Sequence, residues 1–411
     1  MSLSNRKQPR KTDVEIDLKL PFVVLLLTLV GIVLIFSADH AQNINSHLNK
    51  QIWFAVVGLI LFILAALVSP RYYYALAYII YIIAIIGLLM VPVAGFVGLG
   101  ARRWISLGGI NFQPSEPAKI ACILAVARLL SYRHGPTAPW KMLGLSILII
   151  IPVTALVLFQ PDLGTSTVFP VITAAMLAWF GLPLKFFLLI LLPVASLFVI
   201  VNPWLVIPAV LVGLLWLWKS GIRLGWIVII AILCITAIFT APVAWNQLEP
   251  YQQKRLTTFL NPTADPLGAG YQIIQSKVAI GSGGVVGQGF LKGTQTQLRF
   301  LPQQHTDFIF ALAGEEFGFL MTSFLIILFG LIVLFGINIA SRTKNQFMSL
   351  VVVGIVTMIA YHAFVNIGMV IGVLPVTGLP LPFLSYGGSF LLTCLLGAGM
   401  IQSVSLHRKD Y

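Results

Sequence analysis

Asp307 is the carboxylate in this sequence that is best placed for acid–base chemistry. It follows His305 and Thr306 and precedes a helix that starts in apolar sequence at Phe308. Partial removal from water raises the pKa of a carboxylate toward the range in which it accepts a proton at neutral pH. Asp is also common at helix N-caps. We therefore predict that Asp307 is a general base, with helix capping as the alternative role.

Arg102 and Arg103 are adjacent cations beside Trp104 in a glycine-rich stretch, residues 95–115. A guanidinium group can donate two parallel hydrogen bonds to one phosphate or carboxylate. The stretch could instead be anchored to lipid headgroups by these arginines. The sequence leaves both interpretations open.

Glu116 and Lys119 are three residues apart at the start of a predicted membrane helix, so they share one face. A capping carboxylate and a snorkelling lysine would explain them, but ionisable residues at membrane depth are usually functional or paired. We therefore favour a site role. Asp162 is predicted to cap a later helix or to receive Lys119 or an arginine.

The interval 251–316 is the long polar stretch between apolar runs. Its glycines argue against a long regular helix, and those of residues 279–284 could expose backbone amides to a phosphate. An anionic substrate is predicted from its basic residues, which are Lys254, Arg255, Lys277, Lys292 and Arg299. The stretch lacks the GxxxxGK[ST] pattern, so nucleotide hydrolysis has no support.

The composition fixes the class of protein that must position these residues. The 411 residues are 59% hydrophobic and 9% charged, with a mean hydropathy of +0.98. Soluble domains carry about 25% charged residues. Separate apolar runs of about 16 to 25 residues predict membrane helices and not a barrel. The net charge of +13 is scattered over short loops, which does not indicate nucleic acid.

The charge pattern predicts an all-α polytopic membrane protein with about twelve transmembrane helices and both termini in the cytoplasm. Residues 1–19 form a basic cytoplasmic tail, 20–406 the membrane domain, and 246–308 a large extracytoplasmic loop. Residues 374–389, rich in Pro and Gly, are predicted to be rigid and partly re-entrant.

Several polar residues within apolar runs are expected to form hydrogen bonds or ion pairs within the protein rather than to take part in catalysis. His362 and Asn366 are predicted to hydrogen-bond between helices. At least one of Glu315 and Glu316 is expected to pair with a basic residue.

Ten short blocks of this sequence together resemble the SEDS family of bacterial cell-wall proteins, in the family's order. The blocks at 265–271 and 280–284 look more like the elongation branch of that family than the division branch. The full set is 100–105, 112–116, 160–166, 265–271, 275–277, 279–284, 293–295, 300–302, 305–310 and 384–389.

The resemblance implies a peptidoglycan glycosyltransferase that polymerises lipid II outside the cytoplasmic membrane during cell-wall elongation and rod-shape maintenance. It implies Asp307 as the catalytic residue and a class B penicillin-binding protein as the partner, besides membrane lipid. The positions predicted to bind substrate are Arg102, Arg103, Glu116, Lys119, Asp162, Gln275, Ser276, Lys277, His305, Thr306 and Ser385. A divalent cation, Mg²⁺ or Mn²⁺, is a candidate cofactor. No nucleotide is expected, because the diphosphate leaving group carries the energy.

The chain departs from the family in one region. Family members resembling this chain usually have about ten helices, whereas residues 186–245 supply three predicted crossings where one is usual. The two additional crossings form an extra hairpin within residues 186–245. Because two crossings return the chain to the same side, the following loop, residues 246–308, is still predicted to be external. Two other functions stay open: a lipid II flippase, for which the membrane half offers few charges, and a non-catalytic scaffold, which leaves the external charges unexplained.

Overall fold

The computed structural model describes most of the chain. The predicted tail, apart from its last two residues, lies outside the described residues, as do the basic residues Lys254, Arg255 and Arg299. The described ranges are 18–42, 46–98, 101–107, 110–132, 139–183, 185–200, 202–247, 253, 257–259, 270–298, 300–301 and 303–408.

The described chain is mainly helical, with a small antiparallel sheet of order β1-β2-β3. The helices before residue 250 are α1 (Lys19–Gln42), α2 (Ser46–Leu67), α3 (Pro70–Ala94), α4 (Ser115–Tyr132), α5 (Pro139–Phe159), α6 (Leu163–Trp179), α7 (Lys185–Ser196, then a 3₁₀ turn Leu197–Ile200), α8 (Pro203–Lys219) and α9 (Leu224–Gln247). The later ones are α10 (Tyr271–Gly283), α11 (Thr294–Gln297), α12 (Ile309–Arg342), α13 (Gln346–Val370) and α14 (Gly388–His407). The strands are β1 (Phe96–Gly98), β2 (Ala101–Leu107) and β3 (Ile110–Phe112).

Each segment predicted to cross the membrane is helical in the structure. By length and composition, 8 described helices could span a membrane: α1, α2, α3, α5, α9, α12, α13 and α14. The remaining predicted crossings are α4 and the shorter apolar helices α6, α7 and α8. The class of fold is therefore confirmed, while the number of crossings and the side of the termini stay predictions.

Hydrogen bonds between segments at the ends of the helices identify the two ends of the bundle. One end, here called the Asp307 end, is joined by the pairs Gln113–Ser389, Tyr386–His305 and Ser276–Val370. The opposite end, called the far end, is joined by Ser403–Val68, Trp179–Ser349 and Lys185–Ser220. Helix α12 begins at the first end and finishes at the second.

The described acidic residues are confined to one of these two ends. The described acids lie toward the Asp307 end: Asp39, Glu116, Asp162, Asp307, Glu315 and Glu316. The far-end connections and the helix ends beside them carry Arg71, Lys185, Lys219, Arg223, Arg342 and Lys344. Basic residues also lie toward the Asp307 end, namely Lys50, Arg102, Arg103, Lys119, Lys277 and Lys292. The enrichment of Lys and Arg in cytoplasmic loops therefore does not decide the orientation from this distribution, which stays a prediction.

The extra hairpin packs outside the main core. Helices α7, α8 and α9 share a small cluster of buried residues, namely Leu192, Val210, Leu217, Ile230 and Cys234. Large apolar side chains on the outer faces of α8 and α9, such as Trp204 and Phe239, are exposed. The hairpin therefore adds a satellite layer and leaves the packing around Asp307 to the other helices.

The predicted rigid element lies within the bundle. Between α13 and α14 the chain forms no regular helix, and its centre, Leu381 to Ser385, is buried. Gly31 of α1 packs against it so closely that a Cβ there would lie 2.7 Å from the main chain of Phe383 and Leu384. This element is called the buried loop below (residues 371–387).

Candidate active site

The main chain around Asp307 is held at three consecutive carbonyl groups. The carbonyl of His305 accepts from the Tyr386 amide at 2.8 Å, and that of Thr306 accepts from the Ser385 hydroxyl at 2.6 Å. The Asp307 carbonyl accepts from the side-chain amide of Asn366 at 3.0 Å. The buried loop and α13 therefore fix the position of Asp307, which is half-buried.

Three hydroxyl groups predicted to bind substrate already have partners within the protein. Thr306 Oγ1 contacts the carbonyl and side-chain oxygens of Gln303 at 3.2 and 3.0 Å. Ser385 Oγ donates to Thr306 and accepts from the Leu381 amide at 2.8 Å. The buried Ser276 donates to main-chain carbonyls, including that of Val370 at 2.9 Å. These side chains brace the site, and substrate contact stays a prediction for them.

Glu116 and Lys119 form a buried ion pair at the start of α4. Lys119 Nζ lies 2.9 and 3.0 Å from the two carboxylate oxygens of Glu116. It also contacts His362 Nε2 at 3.0 Å and lies 5.2 Å from the Phe390 ring centroid. The two side chains are 0% and 4% exposed. The two residues share one helix face as predicted, and the structure shows that they pair with each other and are closed off from solvent. Their role in the site stays a prediction.

Helix α13 connects this ion pair to Asp307. His362 and Asn366 are four residues apart and so lie on the same helix face. His362 Nδ1 lies 3.3 Å from the carbonyl of Pro380, which assigns the proton to Nδ1 because Nε2 accepts from Lys119. Asn366 bonds to Leu379 as well as to Asp307. The prediction that these two residues hydrogen-bond between elements is confirmed.

The two arginines have different environments. Arg103 Nε donates to the Gln160 carbonyl at 3.2 Å, a terminal nitrogen donates to the Pro161 carbonyl, and Nη1 lies 3.9 Å from Asp162. Arg102 is exposed and contacts the Pro92 carbonyl at 3.3 Å. Arg103 therefore fastens the sheet to the α5–α6 turn, whereas Arg102 faces outward.

Asp162 has both of its predicted roles. Its carboxylate accepts from the Thr165 amide at 3.2 Å and from the Thr165 hydroxyl at 2.9 Å, which caps α6. It also accepts from the Gln113 side chain at 3.3 Å, and the Gln113 amide donates to Ser389 on α14. Ser389 precedes Phe390, the residue that covers Lys119. Arg103 is thus connected through Asp162 and Gln113 to α14, and the Phe390 ring of α14 lies over Lys119 of the buried ion pair.

A second cluster beside Asp307 was not predicted. The His47 and His305 rings stack with centroids 4.4 Å apart, and His47 Nδ1 lies 2.8 Å from the buried Asp39 carboxylate. Tyr386 meets both imidazole rings edge-on. Burial, followed by the nearby His47, lowers the pKa of His305 to about 4, although Asp39 opposes this shift. No spacing in the sequence links Asp39 or His47 to residue 305.

The glycine stretch, residues 284–289, supports α12, whereas residues 279–283 of the segment predicted to contact phosphate lie within α10. The phosphate contact of residues 279–284 stays a prediction. Helix α12 breaks at Gly318, where φ is +71°. The amides of Gln288 and Gly289 donate to the carbonyls of Glu315 and Glu316, each at 3.0 Å. Phe319 and Leu320 donate in return to the carbonyls of Gly284 and Val285. Several backbone groups freed by the break are thereby satisfied within the protein.

The partners that the structure describes for Glu315 and Glu316 are uncharged, so the predicted pairing with a basic residue is not seen among the described residues. Glu315 accepts from the amides of Gln295 and Thr296, at 2.6 and 3.0 Å, and so caps α11. Glu316 accepts from the hydroxyl of Ser37 on α1. Both acids hold the glycine stretch and α1 against α12.

Lys277 and Gln275 lie on α10. Lys277 is exposed, and its side chain lies against Gly372 at the start of the buried loop. Gln275 is half-buried. Among the residues that the structure describes, no three His, Cys, Asp or Glu side chains cluster as a metal site would require.

The chain matches the sequence model of the cell cycle protein family FtsW/RodA/SpoVE over residues 18–208 and 205–410. It is 39% identical over 397 residues to peptidoglycan glycosyltransferase MrdB of Escherichia coli K12, covering 96% of this chain and 95% of that protein. It is 34% identical over 432 residues to peptidoglycan glycosyltransferase RodA of Treponema pallidum, covering 96% and 98% of the two chains.

Solved structures agree with the sequence relatives. A chain from a study of polymerization and crosslinking by a peptidoglycan synthase complex superposes with a TM-score of 0.73 at 31% identity, covering 97% of this chain and 100% of that one. The rod shape determining protein RodA of Thermus thermophilus gives 0.63 at 27% identity, covering 98% and 99%. The chain therefore belongs to the FtsW/RodA/SpoVE family of cell cycle proteins.

Proposed function

We propose that this protein is a peptidoglycan glycosyltransferase that polymerises lipid II during cell-wall elongation, with Asp307 as its general base. The observation that carries the proposal is the fixed position of Asp307. Its segment is held through three carbonyl groups, and α13 connects it to the buried Glu116–Lys119 pair. The identities to peptidoglycan glycosyltransferases MrdB and RodA support the same reaction.

The reaction joins two sugars at the expense of a diphosphate ester. Asp307 accepts the proton of the acceptor hydroxyl while that oxygen forms a bond to the anomeric carbon of the donor sugar. The bond from this carbon to the polyprenyl diphosphate breaks, and the diphosphate leaves with the electron pair. Exposed cations at the same end, Arg102 and Lys277, are suited to the charge that develops on the leaving group.

Lys119 and the half-buried Arg103 have a positioning role in this mechanism. Lys119 is fully buried and is occupied by Glu116 and His362, so it orients the face of α13 that holds the main chain of Asp307. Arg103 is occupied by the α5–α6 turn and holds the sheet that carries Arg102. This assignment refines the sequence prediction, in which both residues touch the diphosphate.

A divalent cation would bind together with the diphosphate of the substrate and not in a site formed by the protein alone. Mg²⁺ in proteins is commonly bound by one or two carboxylates together with substrate phosphates. The described residues supply no cluster of three ligands, so no step above is assigned to a metal. Activity before and after treatment with EDTA, followed by Mg²⁺ or Mn²⁺, tests the requirement.

The proposed setting is the bacterial cytoplasmic membrane, with Asp307 outside and the basic far end in the cytoplasm. Eight apolar helices support a multi-pass location. The likeness to a chain from a peptidoglycan synthase complex supports a class B penicillin-binding protein as the partner that crosslinks the new strands.

The purified protein and its Asp307→Asn variant test the proposal directly. We expect the wild-type protein to convert lipid II in detergent into glycan strands, and the variant to lose this activity while keeping the wild-type thermal unfolding profile. Strand formation by the variant would refute the base assignment. Lipid II movement across sealed vesicles without strand formation would favour a flippase, and neither activity would favour a scaffold.

A further inference from the structure

A large cavity lies at the far end of the bundle. Its volume is about 880 Å³, and its walls come from the first turn of α3, the ends of α4 and α6, and the α12–α13 connection. The cavity and Asp307 lie at opposite ends of α12, whose uninterrupted part after Gly318, residues 319–342, is about 36 Å long at 1.5 Å per residue. The cavity therefore belongs to a site other than the proposed active site.

The charge of this cavity is positive. Arg71 and Lys344 line it, and both residues are exposed. None of the described residues that line it is an Asp or Glu. Helix α13, of 25 residues, begins in the cavity wall at Gln346, so the positive end of its dipole adds to the same field. An anion is the ligand that this field stabilises.

The residues that line the cavity also indicate that the anion is the headgroup of a lipid. Trp179 and Tyr74 line the cavity, and the Trp179 indole is oriented by a hydrogen bond to Ser349 at 2.9 Å. Trp and Tyr concentrate at the level of lipid headgroups. A cavity bounded by the ends of membrane helices, with such residues beside its two cations, is suited to a phospholipid phosphate.

We propose that this cavity binds the headgroup of an anionic phospholipid, with Arg71 and Lys344 contacting its phosphate. The volume lies within the range of about 300 to 1,000 Å³ that is usual for ligand sites. The bound lipid would join α3 and α6 to the α12–α13 connection at the end of the bundle remote from catalysis.

Lipid binding to the purified full chain in detergent tests the proposal. Phosphatidylglycerol is titrated and counted by native mass spectrometry, with phosphatidylcholine as the neutral lipid and glycerol phosphate as the soluble anion. One cation near a membrane surface contributes about a fivefold change in affinity. We therefore expect Arg71→Ala/Lys344→Ala to weaken phosphatidylglycerol binding by about 25-fold.

Matched variants separate this site from general surface charge. Lys219→Ala/Arg223→Ala removes two exposed cations from the far-end turn between α8 and α9, outside the cavity, and should leave the affinity unchanged. The proposal would be overturned if both double variants lost the same amount of affinity for phosphatidylglycerol. Equal binding of phosphatidylcholine, or binding of glycerol phosphate as tight as that of the lipid, would also overturn it. Lipid II polymerisation should be retained by all variants, which establishes that they fold.

Discussion

The side-chain amide of Asn366 donates to the main-chain carbonyl of Asp307 at 3.0 Å and to that of Leu379 at 2.8 Å. One side chain on α13 therefore holds the segment carrying the proposed base and the buried loop at the same time. Because catalysis depends on placing the base within reach of the acceptor hydroxyl, Asn366 should matter without touching the substrate.

Replacing Asn366 by Ala should lower the rate of lipid II polymerisation by about 100-fold, the loss expected for a misplacement of about 1 Å. Two buried carbonyls lose a partner, which should also lower the free energy of unfolding by about 1 to 3 kcal/mol. Strand synthesis and thermal unfolding are measured on the purified variant. Asn338→Ala, at an exposed position in the far half of α12, is the control. A wild-type rate for Asn366→Ala would contradict the positioning role.

Removing one charge of the buried Glu116–Lys119 ion pair should lower the free energy of unfolding more than removing both charges. Lys119→Met leaves an unpaired carboxylate in the bundle, so the free energy of unfolding should fall by about 3 to 5 kcal/mol. Glu116→Gln/Lys119→Met removes both charges and should recover much of that loss. Lys50→Met, at an exposed position on α2, is the control. If Lys119→Met instead kept its stability and lost only affinity for lipid II, Lys119 would be a substrate ligand.

Stability should depend on pH through His305. Its pKa in the folded protein is about 4, because the ring is buried and lies beside His47. The unfolded chain has a His pKa of about 6.5, so between pH 6.5 and 4 the unfolded state binds the proton that the folded state does not. The free energy of unfolding should therefore be unaffected above pH 7 and fall by at most about 3 kcal/mol as the pH decreases to 4.

The variant His305→Gln cannot bind this proton, so its unfolding should show a weaker decrease over the same range. Thermal unfolding in detergent between pH 4 and 8 is compared for wild type, His305→Gln and His40→Gln. His40 is exposed at the same end and serves as the matched histidine. A wild-type pH profile for His305→Gln would assign the dependence to other groups.

Gly287 should be intolerant of a side chain. Its φ is +84°, which costs about 1 to 2 kcal/mol for Ala, and a Cβ there would meet the Glu316 carbonyl at the break in α12. Gly287→Ala should therefore lower both the unfolding temperature and polymerisation. Gly281 lies within α10 with no neighbour within 4 Å of its Cβ position, and Ala there should stabilise the helix by about 0.5 to 1 kcal/mol. Equal unfolding temperatures for the two variants would exclude this account of the α12 break.

The sequence by itself determined the class of fold, because runs of apolar residues long enough to cross a membrane are a local property of the chain. It also led to the prediction that Asp307 is the base, and it placed Glu116 and Lys119 on one helix face from their three-residue spacing. Helix capping by Asp162 followed from the same kind of local rule.

The tertiary structure decided which side chains meet across the bundle. The contacts of His362 with Lys119, of Asn366 with Asp307 and of His47 with His305 join residues 59 to 258 positions apart in sequence, a range that no local pattern encodes. It likewise placed residues 284–289 beside the break in α12, where the Gln288 and Gly289 amides donate to carbonyl groups of that helix, a contact that the sequence pattern does not encode.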